Sequence, residues 1–175
     1  MANLFQDLPG FSRGPGLQER IKPFIISVGF RSVVLYRFQE FFYRHKLLVL
    51  SYSVHQLNIT FHGLDILPGA KIGKGLRIEH PVGIVIGAGV QIGRNCTIGP
   101  QVTLGSRRFA SRNYQPKHGE SDFPIIGDNV QICAKASILG SVRVGSGTIV
   151  AAHALVLNDT QENSLVVGIP AREIN

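Results

Sequence analysis

The residues of this chain best suited to proton chemistry are one histidine and the carboxylates near it. His80 directly follows Glu79, and Asp65 lies fifteen residues upstream of His80. An imidazole exchanges protons near neutral pH, and a neighbouring carboxylate can orient it for that task. A lone histidine is more often structural, so the pair has chemical meaning only if the fold brings Asp65 and His80 close together.

The remaining histidines have no comparable context. His45, His55, His62, His118 and His153 are expected at the surface or in packing, with a reservation for His118 because it lies in a long loop. No pair of possible ligands has a spacing supported by carboxylates, so we expect no metal site.

The elements that must position these side chains are defined by a six-residue repeat. Ile, Leu or Val recurs at Ile66, Ile72, Ile78, Ile86, Ile92, Ile98, Leu104, Ile126, Ile132, Ile138, Val144, Val150 and Val156. A period of six fits neither one helical face nor a simple hairpin. It is typical of a hexapeptide parallel β-helix, in which three hexads make one coil and like positions stack. We therefore expect a mainly β solenoid.

Two interruptions of the repeat are where we expect function, because loops on a rigid scaffold carry most chemistry. Ile78 to Ile86 spans eight residues, two more than the repeat, and we place this insertion just after His80. Leu104 to Ile126 spans twenty-two residues, which is eighteen plus four. Stacked coils lie about 4.8 Å apart. Residues fifteen apart in an eighteen-residue coil can therefore meet, which favours the pairing of Asp65 with His80.

The N-terminal third is predicted to be an arm followed by helices. Apolar residues at three-to-four spacing predict helices over 19–45, with a break near Gly29, and over 46–60. We therefore divide the chain into a helical region, 1–60, and a β-helix domain, 61–175, with a loop at 106–124 and a C-terminal tail. The helices are expected to pack on their own domain or on a neighbouring subunit. Aromatic and basic residues from Arg37 to Lys46 keep peripheral membrane contact possible but not favoured.

Composition limits the class of partner. Eighteen Lys and Arg against eleven Asp and Glu give a formal charge of +7, which favours an anionic partner, although no nucleic-acid motif occurs. Cys96 and Cys133 fall within hexads, as expected of reduced thiols. Residues 1–16 lack the pattern of a signal peptide, and charges interrupt the apolar segment 23–54. We expect a cytoplasmic protein.

Four segments together resemble the serine acetyltransferase family over about residues 24–174. They are DILPGAKIG at 65–73, IEHPVGIVIG at 78–87, VTLG at 102–105 and GIPAR at 168–172. The specific part is the aspartate, the acid–histidine dipeptide fourteen and fifteen residues later, and the GIPAR tail. The resemblance implies a left-handed β-helix, a homotrimer that could pair into a larger assembly, and transfer of acetyl from acetyl-CoA to a hydroxyl.

The resemblance also implies roles for individual residues. His80 matches the family's catalytic histidine, and Asp65 matches the aspartate that orients it. Acetyl-CoA is expected in a groove between neighbouring coils of two subunits. The matching positions are Gly105 and Ser106 beside the thioester, Ala134 and Ala152 along the pantetheine arm, and Arg172 near the nucleotide. Ala134 and Ala152 could equally be ordinary corner residues of the coils.

Departures from the family concern the acceptor. Phe123, in Asp122-Phe123-Pro124, stands where the family has a second active-site histidine, Glu79 replaces an aspartate, and the loop is eight residues longer. The expected acceptor-binding residues are Glu79, Phe123, Arg107, Arg108 and His118. These changes suggest the same reaction on a different alcohol, a sugar hydroxyl in surface-polysaccharide biosynthesis. An aromatic ring can lie against a sugar, and the basic loop can attract an acidic group.

Two alternatives stay open at this stage. One is L-serine O-acetylation in cysteine biosynthesis, because most of the chain resembles that family. The other is a non-catalytic solenoid that binds partners through its flat faces, for which His80 and Asp65 would be replaceable.

Overall fold

The structure, a computed structural model, describes residues 26–108 and 121–174. Two helices lead into a solenoid of short strands, and they are α1 (Val28–Arg44) and α2 (Leu48–His62). The strands are β1 (Leu64–Ile66), β2 (Lys71–Ile72), β3 (Arg77–Ile78), β4 (Ile84–Ile86), β5 (Gln91–Ile92), β6 (Thr97–Ile98), β7 (Thr103–Gly105), β8 (Ile125–Ile126), β9 (Gln131–Ile132), β10 (Ser137–Leu139), β11 (Arg143–Val144), β12 (Ile149–Val150), β13 (Leu155–Val156), β14 (Leu165–Gly168) and β15 (Ala171–Ile174).

The strands form three sheets that are the sides of a prism. Sheet I has the order β1-β4-β7-β10-β13, sheet II has β11-β8-β5-β2, and sheet III has β15-β14-β12-β9-β6-β3. The pairings are parallel except for the antiparallel pair of β14 and β15. Sheet I contains one strand from each of five successive turns. The parallel β-helix expected from the hexads is confirmed.

The core of the prism is built from the repeat itself. Each of the thirteen Ile, Leu and Val positions of the repeat, from Ile66 to Val156, is at most 5 % exposed. Their partners in the register are also repeat positions, as in Ile78 with Ile98 and Ile132 with Val150. Because a single hexad cannot bury its own apolar side chain, the stacking of like positions supplies the core.

The second interruption of the repeat differs from the arithmetic expected. Ile126 pairs with Ile92, one coil earlier, and with Val144, one coil later. Leu104 to Ile126 is therefore a single six-residue side of the prism with sixteen extra residues, and the division into eighteen plus four is wrong. The repeat length alone could not decide this, because an inserted loop and an additional coil both lengthen the chain between two apolar positions.

Helix α1 closes the first coil of the solenoid by capping its carbonyl groups. The Tyr36 hydroxyl donates to Ala70 O at 3.1 Å, and Gln39 Nε2 donates to Ile66 O at 2.7 Å. The Arg37 guanidinium donates to Ile72 O at 2.9 Å and to Gly73 O at 2.6 Å. These side chains are buried, so each bond satisfies a backbone oxygen that would otherwise be desolvated without a partner. Burial raises the pKa of Tyr36, which keeps the hydroxyl a donor.

The helix ends follow ordinary capping rules and shift the expected boundaries. Ser27 Oγ accepts from Phe30 N at 3.1 Å and starts α1 close to the break expected at Gly29. Gly63 has φ +67° and donates to Ile59 O, which ends α2 at His62 and not at residue 60. The helical region therefore extends to residue 62. The part of the predicted first helix before residue 26 lies outside the described residues.

The two helices pack on each other, yet they leave much apolar surface uncovered in the single chain. Asn58 Nδ2 donates to Ser32 O, and Ser51 Oγ donates to Gln39 O. On the outer side of α2, Val49 is 81 % exposed and Phe61 is 71 % exposed. Neither helix, within the ranges described, is long and apolar enough to cross a membrane.

Candidate active site

His80 is itself one of the two residues inserted into the repeat. Glu79 N donates to Ile98 O, which continues the ladder of sheet III, and the next regular bond runs from Gln101 N to Val82 O. Equivalent bonds one coil further join Gly99 N to Ile132 O and Lys135 N to Pro100 O. The residues without an equivalent in the next coil are therefore His80 and Pro81. The insertion expected just after His80 instead includes it, so the imidazole stands outside the regular stack and is exposed.

The corner where His80 lies is shared with two of the expected donor-binding residues. The register aligns Ile78, Ile98, Ile132 and Val150 in successive coils of sheet III. Two residues further along these coils, the chain turns from sheet III to sheet I at Pro100, Ala134 and Ala152, and in the first coil the inserted His80 lies at this same turn. Ala134 is half-buried and Ala152 is exposed. The structure therefore brings His80, Ala134 and Ala152 to one corner, which we call the III–I corner.

Asp65 has a partner that the sequence did not indicate. It lies in β1, between the inward-facing Leu64 and Ile66, and its side chain is on the outer side of sheet I, 36 % exposed. Its Oδ1 is 2.8 Å from Nε2 of His55, which α2 holds with its side chain 10 % exposed. Among the residues described, Asp65 forms no hydrogen bond or ion pair with His80. The dyad inferred from the spacing thus remains a prediction, and the observed partner of Asp65 is His55.

The sequence predicts a surface or packing role for His55, because no motif surrounds it. The signal that could have identified it is its position on α2, which must pack back onto the start of the solenoid. Helical spacing places His55 between the buried Ser51 and Asn58 on the inner face of α2. A polar inner face beside an aspartate on a strand predicts a contact only once the packing of the helix is known.

Glu79 directly follows β3 and contacts Arg77 of that strand. Its Oε1 is 2.7 Å from Arg77 Nε, and both side chains are largely exposed. An exposed ion pair of this kind contributes little to stability. The acceptor role expected of Glu79 stays a prediction.

Phe123 lies at the opposite edge of sheet I, where the chain turns to sheet II. Its ring covers Gly87 and Gly89, and a Cβ at Gly87 would lie 2.6 Å from Phe123 Cε1. The ring is partly buried against the core. Gly105 and Ser106 lie at the same edge, because Gly105 ends β7 and Gly87 N donates to Leu104 O. We call this edge the I–II corner.

The described part of the basic loop is largely paired within the chain. Arg108 forms an ion pair with Asp122, whose side chain is 7 % exposed, and Arg108 N donates to Ser106 Oγ at 3.1 Å. Asp122 Oδ1 is buried without a hydrogen-bond partner among the described residues. Arg107 is half-buried. His118 lies outside the described residues.

The expected site residues therefore divide between two edges of sheet I. Gly83 and Gly87 flank β4, and four residues of strand span about 13 Å. His80, Ala134 and Ala152 lie at one end of this span, while Phe123, Gly105 and Ser106 lie at the other. Arg172 is exposed in β15, the terminal strand of sheet III, and pairs with Val167. One copy of the chain does not bring these two groups together.

The repeat architecture and the exposed histidine at its corner define a class of transferase. Residues 123–158 match the family model described as bacterial transferase hexapeptide (six repeats). Over 164 residues the chain is 34 % identical to the serine acetyltransferase of Bacillus licheniformis, covering 94 % of this chain and 72 % of that protein. The chain belongs to the serine acetyltransferase family.

Two further comparisons agree with this membership. A putative serine acetyltransferase of Schizosaccharomyces pombe is 33 % identical over 164 residues, which is 94 % of this chain and 58 % of that protein. A solved serine acetyltransferase in complex with CoA superposes with a TM-score of 0.80 at 28 % identity, over 99 % of this chain and 68 % of that chain. The chain thus spans about three fifths of the length of some of its curated relatives.

Proposed function

We propose that this chain is an acetyl-CoA-dependent O-acetyltransferase with His80 as its general base. The observation that carries the proposal is the III–I corner, where an inserted, exposed imidazole lies at the start of the corner that also contains Ala134 and Ala152. Small side chains at that corner let a narrow thioester arm lie against the backbone. Family membership and the relative solved with CoA support the donor.

The chemistry that follows is acyl transfer to an oxygen. A hydroxyl is a weak nucleophile at neutral pH, so His80 takes its proton as the oxygen attacks the thioester carbonyl. The new C–O bond forms, the C–S bond breaks, and the electron pair leaves on the sulfur of CoA. The proton held by His80 then passes to that thiolate, so the base is regenerated and free CoA is released.

Asp65 and His55 support this base from the side of sheet I. Asp65 uses Oδ1 for His55, which leaves Oδ2 for a second contact. A carboxylate held in one orientation stabilises the imidazolium that forms on His80 better than a mobile one. The proposed order of importance is His80 first, because it touches the reacting hydroxyl, and Asp65 second.

The division of the site between two corners supports a homotrimer. A neighbouring copy that presents its I–II corner to the III–I corner of the first would add Phe123, Gly105 and Ser106 to His80. The uncovered apolar side chains of α2, Val49 and Phe61 among them, also fit burial by a second copy. A trimer closes such head-to-tail contacts into a ring with three equivalent sites.

L-serine is the acceptor we propose first. The curated relatives carry the name serine acetyltransferase, and one of them covers 94 % of this chain. The comparisons therefore favour serine over the sugar acceptor expected from the departures at Phe123 and Glu79. Arg108 is also less available to an acidic sugar than the sequence suggested, because Asp122 already pairs with it.

A sugar hydroxyl remains the second candidate because of one observation. Phe123 places a partly buried aromatic ring where the family has a histidine, and such a ring packs against a sugar but cannot satisfy a charged amino acid. The ring also covers Gly87 and Gly89, so part of its role is structural.

Steady-state kinetics with both acceptors distinguish the two candidates. CoA release is measured with L-serine and with a panel of nucleotide sugars, each varied separately from acetyl-CoA. A kcat/KM for serine above that for every sugar supports the first candidate, and the reverse order supports the second. Phe123→Ala should then raise the KM of the preferred acceptor more than that of acetyl-CoA. A rise confined to acetyl-CoA would assign Phe123 to the donor site.

A further inference from the structure

Positive φ occurs at all three corners of the prism, and at the I–II corner the residues are glycines, Gly69 and Gly140. The other two corners differ in the residue types they use. At the turn from sheet II to sheet III these residues are Gly75, Asn95, Asn129, Gly147 and Asn163. Gly and Asn are the residues that adopt a positive φ most readily. This corner therefore carries the types that the backbone alone would select, and two of them, Asn95 and Asn129, bond to each other.

The III–I corner meets the same backbone requirement with larger side chains. Its positive-φ residues are Gly83, Gln101, Lys135 at φ +62° and His153 at φ +61°. The Cβ of any residue other than glycine makes this conformation less favourable, and Lys, unlike Asn and His, is not among the residues enriched in it. Strained backbone of this kind concentrates at functional sites, where the side chain itself is needed.

Lys135 and His153 are neighbours in the stack. His153 N donates to Ala134 O at 3.0 Å, as Lys135 N donates to Pro100 O at 2.9 Å, so the two residues occupy the same place in successive coils. Both side chains are exposed, and neither forms a hydrogen bond or an ion pair with the described residues. At about 4.8 Å between coils, Lys135 lies about 10 Å and His153 about 14 Å along the solenoid from the level of His80.

The two side chains can hold an anion together. A lysine ammonium offers three donors and a positive charge, and an imidazole offers an N–H donor in either tautomer. Each directly follows one of the alanines, Ala134 or Ala152, along which the thioester arm is proposed to lie. An arm that starts at His80 and follows this corner would bring the phosphate groups of its nucleotide end toward Lys135 and His153.

We infer that Lys135 and His153 form a phosphate-binding pair for the donor, at the corner that His80 occupies. This inference rests on the proposed function, because it takes acetyl-CoA as the donor. It adds two residues whose side chains are exposed and whose backbone conformation favours glycine. It also places the phosphate contacts beside the arm, two to three strands of sheet III before Arg172 in β15.

The test compares donors that differ in their phosphates. The kcat/KM is measured with acetyl-CoA, with its 3′-dephospho form and with acetylpantetheine, for wild type and for the double variant Lys135→Gly/His153→Gly. The preference for acetyl-CoA over acetylpantetheine should fall about tenfold in the variant, the scale of one lost charge-assisted contact. If kcat/KM falls for both acetyl-CoA and its 3′-dephospho form, the pair binds the diphosphate. If kcat/KM falls for acetyl-CoA alone, the pair binds the 3′-phosphate.

Stability separates this role from a structural one. Because glycine adopts a positive φ freely, the double variant should have a Tm equal to or above that of wild type while its donor preference falls. The control is Lys74→Gln, which removes an exposed lysine at the turn from sheet II to sheet III. It should leave the preference for acetyl-CoA over acetylpantetheine unchanged. If Lys135→Gly/His153→Gly does not fold, Lys135→Gln/His153→Gln replaces it. An unchanged preference in the double variant would overturn the inference.

Calorimetric titration with CoA keeps the inference testable without turnover. If wild type binds CoA but acetylates nothing, the proposed function fails, and a tenfold weaker Kd in the double variant still supports the pair. If wild type and the double variant bind CoA equally, the pair is wrong while the proposed function stands. If wild type binds no CoA at all, both fail.

Discussion

At the scale of single residues, the chemistry proposed here depends on the inserted imidazole. Replacing His80 by Ala should lower kcat by about a hundredfold or more, the usual contribution of a general base. The Kd for acetyl-CoA should stay within about twofold, because the alanines of the III–I corner and not the imidazole hold the donor arm. Stopped assays of CoA release together with calorimetric titration measure both quantities. A large loss of donor affinity with little loss of kcat would assign His80 to binding.

The contact between His55 and Asp65 gives a second prediction at this scale. His55→Ala frees the Asp65 carboxylate and should reduce kcat by about tenfold with little change in KM. His55→Gln keeps an N–H donor for Asp65 Oδ1 and should restore most of the activity. Steady-state kinetics and thermal melts of both variants provide the measurement. Equal losses in the two variants, in step with lowered Tm, would mean that the contact only fastens α2 to β1.

The spacing predicted some of these residues and not others, for reasons that can be named. His80 stands out because it lies at an interruption of a strict repeat, and Asp65 because its spacing from His80 resembles that of the serine acetyltransferase family. His55 does not, because its partner lies across a helix–sheet contact that no local pattern encodes. Lys135 and His153 escape notice for another reason: their positive φ follows from the corner geometry, which no local sequence pattern at Lys135 indicates.

At the scale of elements, α1 caps the first coil of the solenoid, and Arg37 donates two of the capping hydrogen bonds. Arg37→Met retains length and apolar packing but leaves Ile72 O and Gly73 O without their donor, and the change should cost about 3 kcal/mol of unfolding free energy. The control Arg44→Met removes a guanidinium that is 67 % exposed and should change stability by less than about 0.5 kcal/mol. Urea unfolding of both variants measures the difference. Similar values for the two would remove Arg37 from the cap.

The two cysteines report on the packing of the coils. Burial raises the pKa of Cys96, whose side chain is fully enclosed, while Cys133 is half-buried. Because the thiolate is the reactive form, maleimide at neutral pH should modify Cys133 in the folded protein and Cys96 only after unfolding. Mass spectrometry of peptides from native and denatured samples measures this order. Rapid modification of Cys96 in the native state would contradict the packing described.

The elements were predictable to the extent that each carries its own period. The hexads predicted the strands because every branched residue of the repeat points into the prism. The same arithmetic gave the wrong result for the loop after β7. Twenty-two residues can be one coil with four extra residues or one side of the prism with sixteen extra residues. The helix ends at Arg44, Leu48 and His62 lie one or two residues from the expected bounds 45, 46 and 60, and the cap at Gly63 decides the last of them.

At the scale of the whole molecule, the separation of the two corners predicts assembly. Light scattering should give a mass about three times the 19.1 kDa of one chain. A Phe123→Ala chain mixed with a His80→Ala chain should form mixed trimers. Because each site takes His80 from one copy and Phe123 from the next, some sites then contain both substitutions and others contain neither. Activity recovered in the mixture above that of either parent would support shared sites. A monomeric mass with full activity would contradict them.

The identity of the acceptor is the property that the sequence could not predict. Phe123 and Glu79 depart from the family and suggested a sugar, whereas the curated relatives favour serine. Glu79 is the last regular residue before the insertion of His80 and Pro81, and Phe123 lies between β7 and β8. A six-residue repeat of apolar positions carries no information about side chains at or beside its interruptions.

The central claim is that this chain moves an acetyl group from CoA to a hydroxyl through His80. Its most direct test is nuclear magnetic resonance of a reaction with acetyl-CoA labelled with ¹³C in the acetyl group and with L-serine as acceptor. We predict that wild type transfers the label to the serine oxygen and that His80→Ala, folded and still binding CoA, does not. Label that stays on CoA with serine and with every hydroxyl of the sugar panel, or transfer that persists in His80→Ala, would contradict the claim.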